Sequence, residues 1–575
     1  MAASISVVAC NDSLDVQNVT SPDITRALST PAGIEQLVST GFQQAHLATV
    51  ANNMTPQLNV FGLESYGSVA NFGMNTRGGI PRIQVQNERG NATAGENYAD
   101  YRTLSKVARS MANGIQAIDA MVTAGGTMGS VGRNMRARAF AFFVMGVAHG
   151  NLALMYDSVA VLEATTAADV NPPLSGYAAA MARAIENLDS AVAIAGGIAT
   201  AEVGNFSLPA GWINGNAMTR DQFVQMVRSF RARYRAGVAR TPAERAAVNW
   251  ASVISDATNG LTTDLNITLT NSGGWSHGYI AQMYTYSGWH MMPANIIGFA
   301  DSVGGEYDTW VNTPALTARN SAGTTFLFIR TADRRFPAGD TRAAQTAASG
   351  CTASNTNANC KPGLAGGLTG QTNNLPYFRN RLGGGDDTKG EAWAQTQYDH
   401  YRFRYLTLGN ANRDGLWPTM TKAEVDLLAA EGYIRTGNYA AAATLIDRTR
   451  TAQGGLPSVV GMTMTAAGLT DPWSGSDVPG GNACVPRVPK TSAAGRECGN
   501  LFEALKWEKR LETAFTGYGQ WYVDSRGWGD LPEGTALSWP VPYQELDARY
   551  PGNTNFYYLG GSTANQGAPK GTYGW

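Results

Sequence analysis

The stretch KAEVDLLAAEGYIRTGNYAAAATLIDRTR, residues 422–450, decides the fold. Its apolar spacing predicts two helices, near 421–436 and 438–453, broken at Gly437. Ala430, Tyr433, Gly437, Tyr439 and Ala442 fall where a tetratricopeptide helix pair uses small residues, an aromatic wedge and a glycine turn. Small residues let two antiparallel helices approach, and the tyrosines fill the groove between them. One such match is not an array, but it directs attention to the remaining helices.

Working towards the N-terminus, helical periodicity predicts further helices near 32–50, 99–123, 133–158, 174–196, 219–237 and 242–258. Thr241-Pro242-Ala243-Glu244 is a helix start, with a threonine cap, proline at the first helical position and an acid in the first turn. The apolar run Phe140 to Met155 is interrupted by Gly146, His149, Gly150 and Asn151 and is short for a bilayer span, so a helix buried on most sides accounts for it. These helices have the length to form further pairs without carrying the motif. The fold class is therefore mainly α: tetratricopeptide-like helix pairs forming a scaffold, about 30–258 and 421–453. A loop-rich region with a few short strands spans about 260–420, and a second irregular stretch runs over about 455–500. Thr262–Thr270 and Thr324–Ile329 are the strand candidates in the first of these.

The chain has 575 residues, a formal net charge of −1 and 15% charged residues, which gives no basic footprint for nucleic acid. No low-complexity linker or long charge run marks a boundary, so residues 10–575 read as a single domain. The opening Met1 to Cys10 ends in Val7-Val8-Ala9-Cys10, which looks like a bacterial lipoprotein signal, with 1–9 its remnant and Cys10 the lipidated residue. No Lys or Arg precedes the apolar run, so this reading requires residues upstream of Met1; the alternative is an ordinary apolar N-terminus with a chance cysteine. Cys351 and Cys360 share one Gly/Ser/Thr/Asn-rich loop, and Cys484 and Cys498 another. Two disulfides, which persist only in an oxidising compartment, are favoured over zinc, because neither pair has short metal-ligand spacing or a histidine nearby.

With these pieces in place, the chain resembles the SusD/RagB family of outer-membrane nutrient-binding lipoproteins. The likeness runs through ordered segments. Leu14-Asp15-Val16 and Ser21-Pro22, then a helix over 33–43, match its opening. Arg136-Ala137-Arg138-Ala139-Phe140-Ala141-Phe142-Phe143, ending in Leu154-Met155-Tyr156-Asp157, matches its long helix. Glu424 to Arg450 followed by Gly454-Gly455-Leu456-Pro457 matches its helix pair. The C-terminal family segment, about 498–575, carries Glu508-Lys509-Arg510-Leu511-Glu512, Gly517, Trp521, Asp524, Arg526, Trp528-Gly529, Pro540-Val541-Pro542 and Glu545-Leu546. Thr516, Asp447 and the stretch around Pro551-Gly552-Asn553 depart from the family pattern.

The resemblance implies a cell-surface lid, held to the outer membrane by its lipid anchor and facing the exterior. Such a lid captures an oligosaccharide, another nutrient polymer or a peptide and delivers it to a SusC-like TonB-dependent outer-membrane transporter, with no enzymatic step and no cofactor. Family sugar sites stack aromatic faces on sugar rings. The densest aromatic cluster here is Trp275, Tyr279, Tyr284, Tyr286 and Trp289, residue types that combine contact area with a polar handle. Gly273, Gly274 and Gly288 leave the faces of Trp275 and Trp289 accessible on this reading; the other reading makes the rings core packing of a helix beginning near Ser276. Asn97, Tyr98 and Tyr101 occupy roughly the place of a second family binding loop.

Arg510, Glu512, Asp524 and Arg526 read as charges that pair with one another to fix the C-terminal fold rather than as a ligand site. Asp386-Asp387 lacks the further spaced oxygen ligands of a calcium loop, and no helix carries two histidines at metal spacing. His277 and His290 read as rim hydrogen-bonders or as satisfied polar groups. Two rival functions stand beside the receptor: a secreted glycoside hydrolase on a helical scaffold, with Glu391 and Asp399 as candidate acids, and a self-assembling structural surface protein.

Overall fold

The computed structural model describes residues 28–50, 54–67, 73–83, 85–91, 97–276, 291–303, 305–312, 327–348, 377–380, 395–400, 402–403, 406, 414–490, 495–552, 554 and 567–574. Its longer helices are α1 (Pro31–Ser39), α2 (Gly41–Thr49), α3 (Ala99–Thr123), α4 (Val131–Met155), α5 (Tyr177–Gly196), α6 (Arg220–Gly237), α7 (Trp250–Thr258), α8 (Lys422–Arg435), α9 (Tyr439–Arg450), α10 (Leu501–Thr513) and α11 (Gln520–Trp528).

Local chemistry sets their ends. Ser130 caps α4 by accepting from the Arg133 N–H, Thr219 and Gln222 close a capping box on α6, and Thr421 and Asn438 cap the two helices of the tetratricopeptide-like pair. Gly437 ends α8 with φ 80°, a conformation that favours glycine. Two expected helices divide. Residues 32–50 form α1 and α2 with a break at Thr40, and residues 242–258 form Pro242–Ala246 and then α7, whose start is fixed by the Asn249 side chain accepting from Ser252.

Each helix from α3 to α9 packs on the next, and α10 packs on both α8 and α9, so the scaffold is a continuous stack. The stack crosses the long irregular region without a gap: α7 packs directly on α8, although the chain makes an excursion of more than 160 residues between them. That excursion leaves and returns through one antiparallel pair, Leu265–Leu269 against Gly415–Met420, with Leu265, Ile267 and Leu269 facing the core. The first expected strand is thus present. Leu327–Ile329, the described part of the second, lies outside any strand; the sheet of this region instead joins Met291–Pro293, Gln395–His400 and Phe378–Asn380.

Helix α4 sits at the centre. Among the described residues it is the one helix long and apolar enough to cross a membrane, yet 83% of its apolar window is buried in the protein, which explains an apolar surface on nearly every side. Its glycines allow close approach: a Cβ at Gly146 would lie 2.9 Å from Leu188 on α5, and one at Gly150 would lie 2.6 Å from the Tyr234 ring on α6. One apolar cluster runs from Ile34 to Tyr573, and a smaller one lies between α8, α9, α10 and the 459–484 segment.

Candidate functional site

All six charged side chains of α10 are buried, and each has a partner. Arg335 is gripped by Asp333 (2.7 Å) and Glu508 (2.7 Å) and reaches Glu512 at 3.3 Å. Thr449 on α9 donates to Glu508 at 2.9 Å, and the Trp507 indole donates to Asp333 at 3.0 Å. A second cluster joins Arg245 to Glu431 (2.6 Å) and Asp524 (3.0 Å), with Lys509 on Asp524 at 2.9 Å. Burial pushes the Glu431 carboxyl up, but the Arg245 and Arg435 charges outweigh it and hold the group well below the usual carboxylate range. A third cluster sets Lys506 and Arg510 on Asp530. Arg526 donates to the carbonyls of Leu154 near the end of α4 (3.0 Å), Gly237 at the end of α6 (3.2 Å) and Leu537 (2.7 Å). A guanidinium there complements the negative ends of two helices. Arg510, Glu512, Asp524 and Arg526 do not pair with one another as expected: Arg510 pairs with Asp530, Glu512 with Arg335 and Arg402, Asp524 with Arg245 and Lys509, and Arg526 is held by backbone carbonyls, so each is bound into the framework that clasps the helical stack.

The aromatic candidate divides. Tyr279, Tyr284, Tyr286 and Trp289, with His277 and His290, lie outside the described residues. Trp275 does not keep an accessible face: it is 6% exposed, its ring 5.6 Å from the His46 ring and 6.5 Å from Phe42. The cause is the turn Thr270–Trp275, closed by Thr270 N–H to Trp275 C=O (3.1 Å) and Trp275 N–H to Thr270 C=O (3.0 Å), which folds the indole back onto α2. Gln43 of α2 also donates to the Gly273 carbonyl at 3.2 Å.

Phe42 and His46 of α2, on which Trp275 packs, also wall a cavity of about 30 Å³ together with Asn151 of α4, Arg233 of α6, Thr419 and Tyr518 among others. Burial lowers the His46 imidazole to about 4, against a hydrogen bond with the Ser276 backbone, so the ring is neutral at neutral pH. Arg233 forks onto Glu424 (2.6 and 2.7 Å) and donates to the Thr419 carbonyl (2.9 Å). The volume suits a water molecule or two and is far below the several hundred Å³ of a small-molecule site. None of these wall residues was picked out in the sequence; Asn151 alone left a signal there, as a polar break in an apolar run.

In the second expected loop, Asn97 and Tyr101 are buried at 2% and 1% exposure and cannot present faces to a ligand. Tyr98 is half-buried, with the Arg102 guanidinium 5.3 Å over its ring. Cys484 and Cys498 form a disulfide that closes a loop of sequence separation 14. Cys10, Cys351, Cys360, Asp386, Asp387 and Glu391 lie outside the described residues. Asp399, the other candidate acid, is held by Arg379 at 2.6 Å. Among the described residues no group of three His, Cys, Asp or Glu is placed to hold a metal.

No family model matches the chain, and no curated protein does. Among solved structures, the chain is similar to a SusD superfamily protein from Bacteroides thetaiotaomicron at 11% identity and a TM-score of 0.48, over 90% of this chain and 98% of that one. A SusD homolog from Bacteroides thetaiotaomicron aligns at 13% identity and a TM-score of 0.47, over 92% of this chain and 90% of that one. A SusD-like carbohydrate binding protein from Bacteroides vulgatus aligns at 14% identity and a TM-score of 0.42, over 76% and 77%.

Proposed function

We propose that this protein is a SusD/RagB-like surface receptor that captures an oligosaccharide, or another nutrient polymer, and passes it to a TonB-dependent outer-membrane transporter. One observation carries the reading: the segments that resemble the family, far apart in sequence, touch one another in the fold. Arg526 donates to Leu154, the Asp157 N–H donates to the Trp539 carbonyl at 2.9 Å just before Pro540-Val541-Pro542, and Thr449 donates to Glu508. Motifs that meet in space are the parts of one framework, which is why we carry the family's role to this chain.

Ligand contact then falls to aromatic residues of the long excursion, and we assign stacking to Tyr279, Tyr284, Tyr286 and Trp289, with Tyr98 at the second loop. Lipidation of Cys10 and pairing of Cys351 with Cys360 belong to the same proposal. Binding of this kind needs release as well as capture, so no covalent chemistry enters.

The test joins a binding screen with a native purification. Soluble protein is titrated calorimetrically with polysaccharides, oligosaccharides and peptides, and tagged protein is purified from detergent-solubilised outer membranes with mass spectrometry of what accompanies it. Saturable glycan binding that Trp289→Ala weakens by roughly 1–3 kcal/mol, with a large TonB-dependent barrel in the purified complex, is the expected result. Product formation would make the protein an enzyme. Recovery alone and unlipidated, with no ligand bound, would overturn the receptor reading.

A further inference from the structure

The Tyr156 hydroxyl lies 2.6 Å from the Asn97 carbonyl oxygen and 2.7 Å from Asp100 Oδ1. A carbonyl and an ionised carboxylate are both acceptors, and a phenol has one proton to donate. Both contacts are hydrogen bonds only if a second proton lies between Tyr156 and Asp100. The other carboxyl oxygen, Oδ2, accepts from the Tyr518 hydroxyl. We propose that in mildly acidic solution Asp100 is held in the fold as a neutral carboxylic acid, its proton on Oδ1 donated to Tyr156, and that this proton makes the junction of α3, the end of α4 and the 514–519 loop sensitive to pH.

The chain of donors is then complete: Asp100 Oδ1–H to Tyr156, Tyr156 O–H to the Asn97 carbonyl, Tyr518 O–H to Asp100 Oδ2. Loss of the Asp100 proton leaves Tyr156 with one proton for two acceptors. The carboxylate is the stronger acceptor and takes it, and the Asn97 carbonyl at the start of α3 loses its donor. The surroundings favour the neutral acid. Asp100 is fully buried, and no ion pair to it exists among the described residues. The titratable groups facing it are Tyr518 from the loop, Tyr156 at the end of α4 and Tyr101 from its own helix, all three phenols pushed up by burial; the charges of Glu545, Arg549 and Asp157 act on Tyr101. Burial likewise pushes the Asp100 carboxyl up, to about 6, against the hydrogen bonds from Tyr518, Tyr156 and the backbone N–H groups of Tyr101 and Asp100. Tyr518 also lines the cavity walled by Phe42, His46 and Thr419, so the junction borders the place where the long excursion returns to the scaffold.

The test compares wild type with Asp100→Asn, whose amide donates to Tyr156 and accepts from Tyr518 at every pH. Infrared difference spectra read the protonated-carboxyl band, and thermal unfolding is followed between about pH 4 and about pH 8. The expected result is a band in wild type at the acid end that fades through about pH 6 and is missing from Asp100→Asn. Unfolding temperatures then lie closest at the acid end and draw apart as pH rises towards about 6, above which the gap levels off, the variant the higher. A wild-type minus variant spectrum with no such band at the acid end, or equal unfolding temperatures across the range, overturns the proposal. If Asp100→Asn does not fold, Tyr156→Phe serves: with a donor to the carboxylate gone, the band persists to higher pH, and an unmoved titration overturns the shared proton.

Discussion

Replacing Arg335 by Met separates a structural clasp from a ligand site, because the guanidinium holds three carboxylates at once. It donates to Asp333 at 2.9 and 2.7 Å, to Glu508 at 2.7 and 2.8 Å, and to Glu512 at 3.3 Å. Met fills the volume of the stem and leaves the charges behind. Asp333 keeps the Trp507 indole, Glu508 keeps Thr449, and Glu512 keeps Tyr377 and Arg402, so the loss is that of a broken buried pair, about 3–5 kcal/mol, and not of three isolated ions. Urea denaturation at neutral pH and again near pH 4 measures it. In wild type, Arg335 outweighs burial and holds Asp333 below its ordinary value, so this stabilisation is present above about pH 4 and is lost as pH falls through the folded value. In the variant the orphaned carboxyls rise above their unfolded values, so their penalty is present at neutral pH and is relieved as pH falls towards about 4. The relief in the variant narrows the gap by about pH 4, and the loss in wild type narrows it further only below that. A gap below about 1 kcal/mol at neutral pH, or one that does not change with pH, refutes the clasp. So does a variant of unchanged stability that has lost ligand binding.

Three further outcomes follow from burial and loop closure. Trp275→Ala is expected to cost about 3–5 kcal/mol in denaturant unfolding, since the ring is packed on Phe42 and His46; weakened glycan binding at unchanged stability would instead put the ring at the ligand. Cys484→Ser with Cys498→Ser is expected to cost roughly 3 kcal/mol, the closure entropy of a loop of this length, and non-reducing peptide mapping of the parent should recover the bridged pair. Gly150→Ala places a methyl 2.6 Å from the Tyr234 ring and is expected to destabilise by about 1–3 kcal/mol, read as a lower denaturation midpoint; a neutral result would mean that α4 and α6 separate freely.

What could be read in the sequence was what neighbouring residues decide. The expected helix over 99–123 is Ala99–Thr123 and that over 219–237 is Arg220–Gly237, because periodicity and caps are local. That Arg510, Glu512, Asp524 and Arg526 serve the fold follows from a general rule for paired charges, but their actual partners, Asp530, Arg335, Arg245 and the Leu154 carbonyl among them, carry no local signal. Trp275 shows the limit. Gly273 and Gly274 read as space around the ring, but they serve the turn that delivers the ring to α2, more than 220 residues earlier. Asn97 and Tyr101 stand where position alone points to a family loop, while Asp100 between them, the residue with chemistry to perform, carries no local signal in the sequence. Its partners Tyr156 and Tyr518 are more than 50 and more than 400 residues away, and no local pattern brings them together.

The direct packing of α7 on α8 bears on where variation is tolerated. The excursion between them is pinned at its base by Leu265–Leu269 against Gly415–Met420, and the Lys422 N–H donates to Asp264 at 2.7 Å where the chain re-enters the stack. Closing a loop costs only about 0.6 kcal/mol more for each doubling of its length. Once the base is paired, the excursion can change in length between its buried anchors at little cost to the helices, while the anchors themselves, Asp333 and Arg335 on α10 above all, cannot. The clasp around α10 is the opposite case, since its charges are buried and shared, and each substitution strands a partner. A scaffold set by buried ion pairs beside loops free to change in length divides its sequence in this way, and the segments that resemble the family fall on the scaffold: the helix over 33–43, α4, the α8–α9 pair and the C-terminal segment.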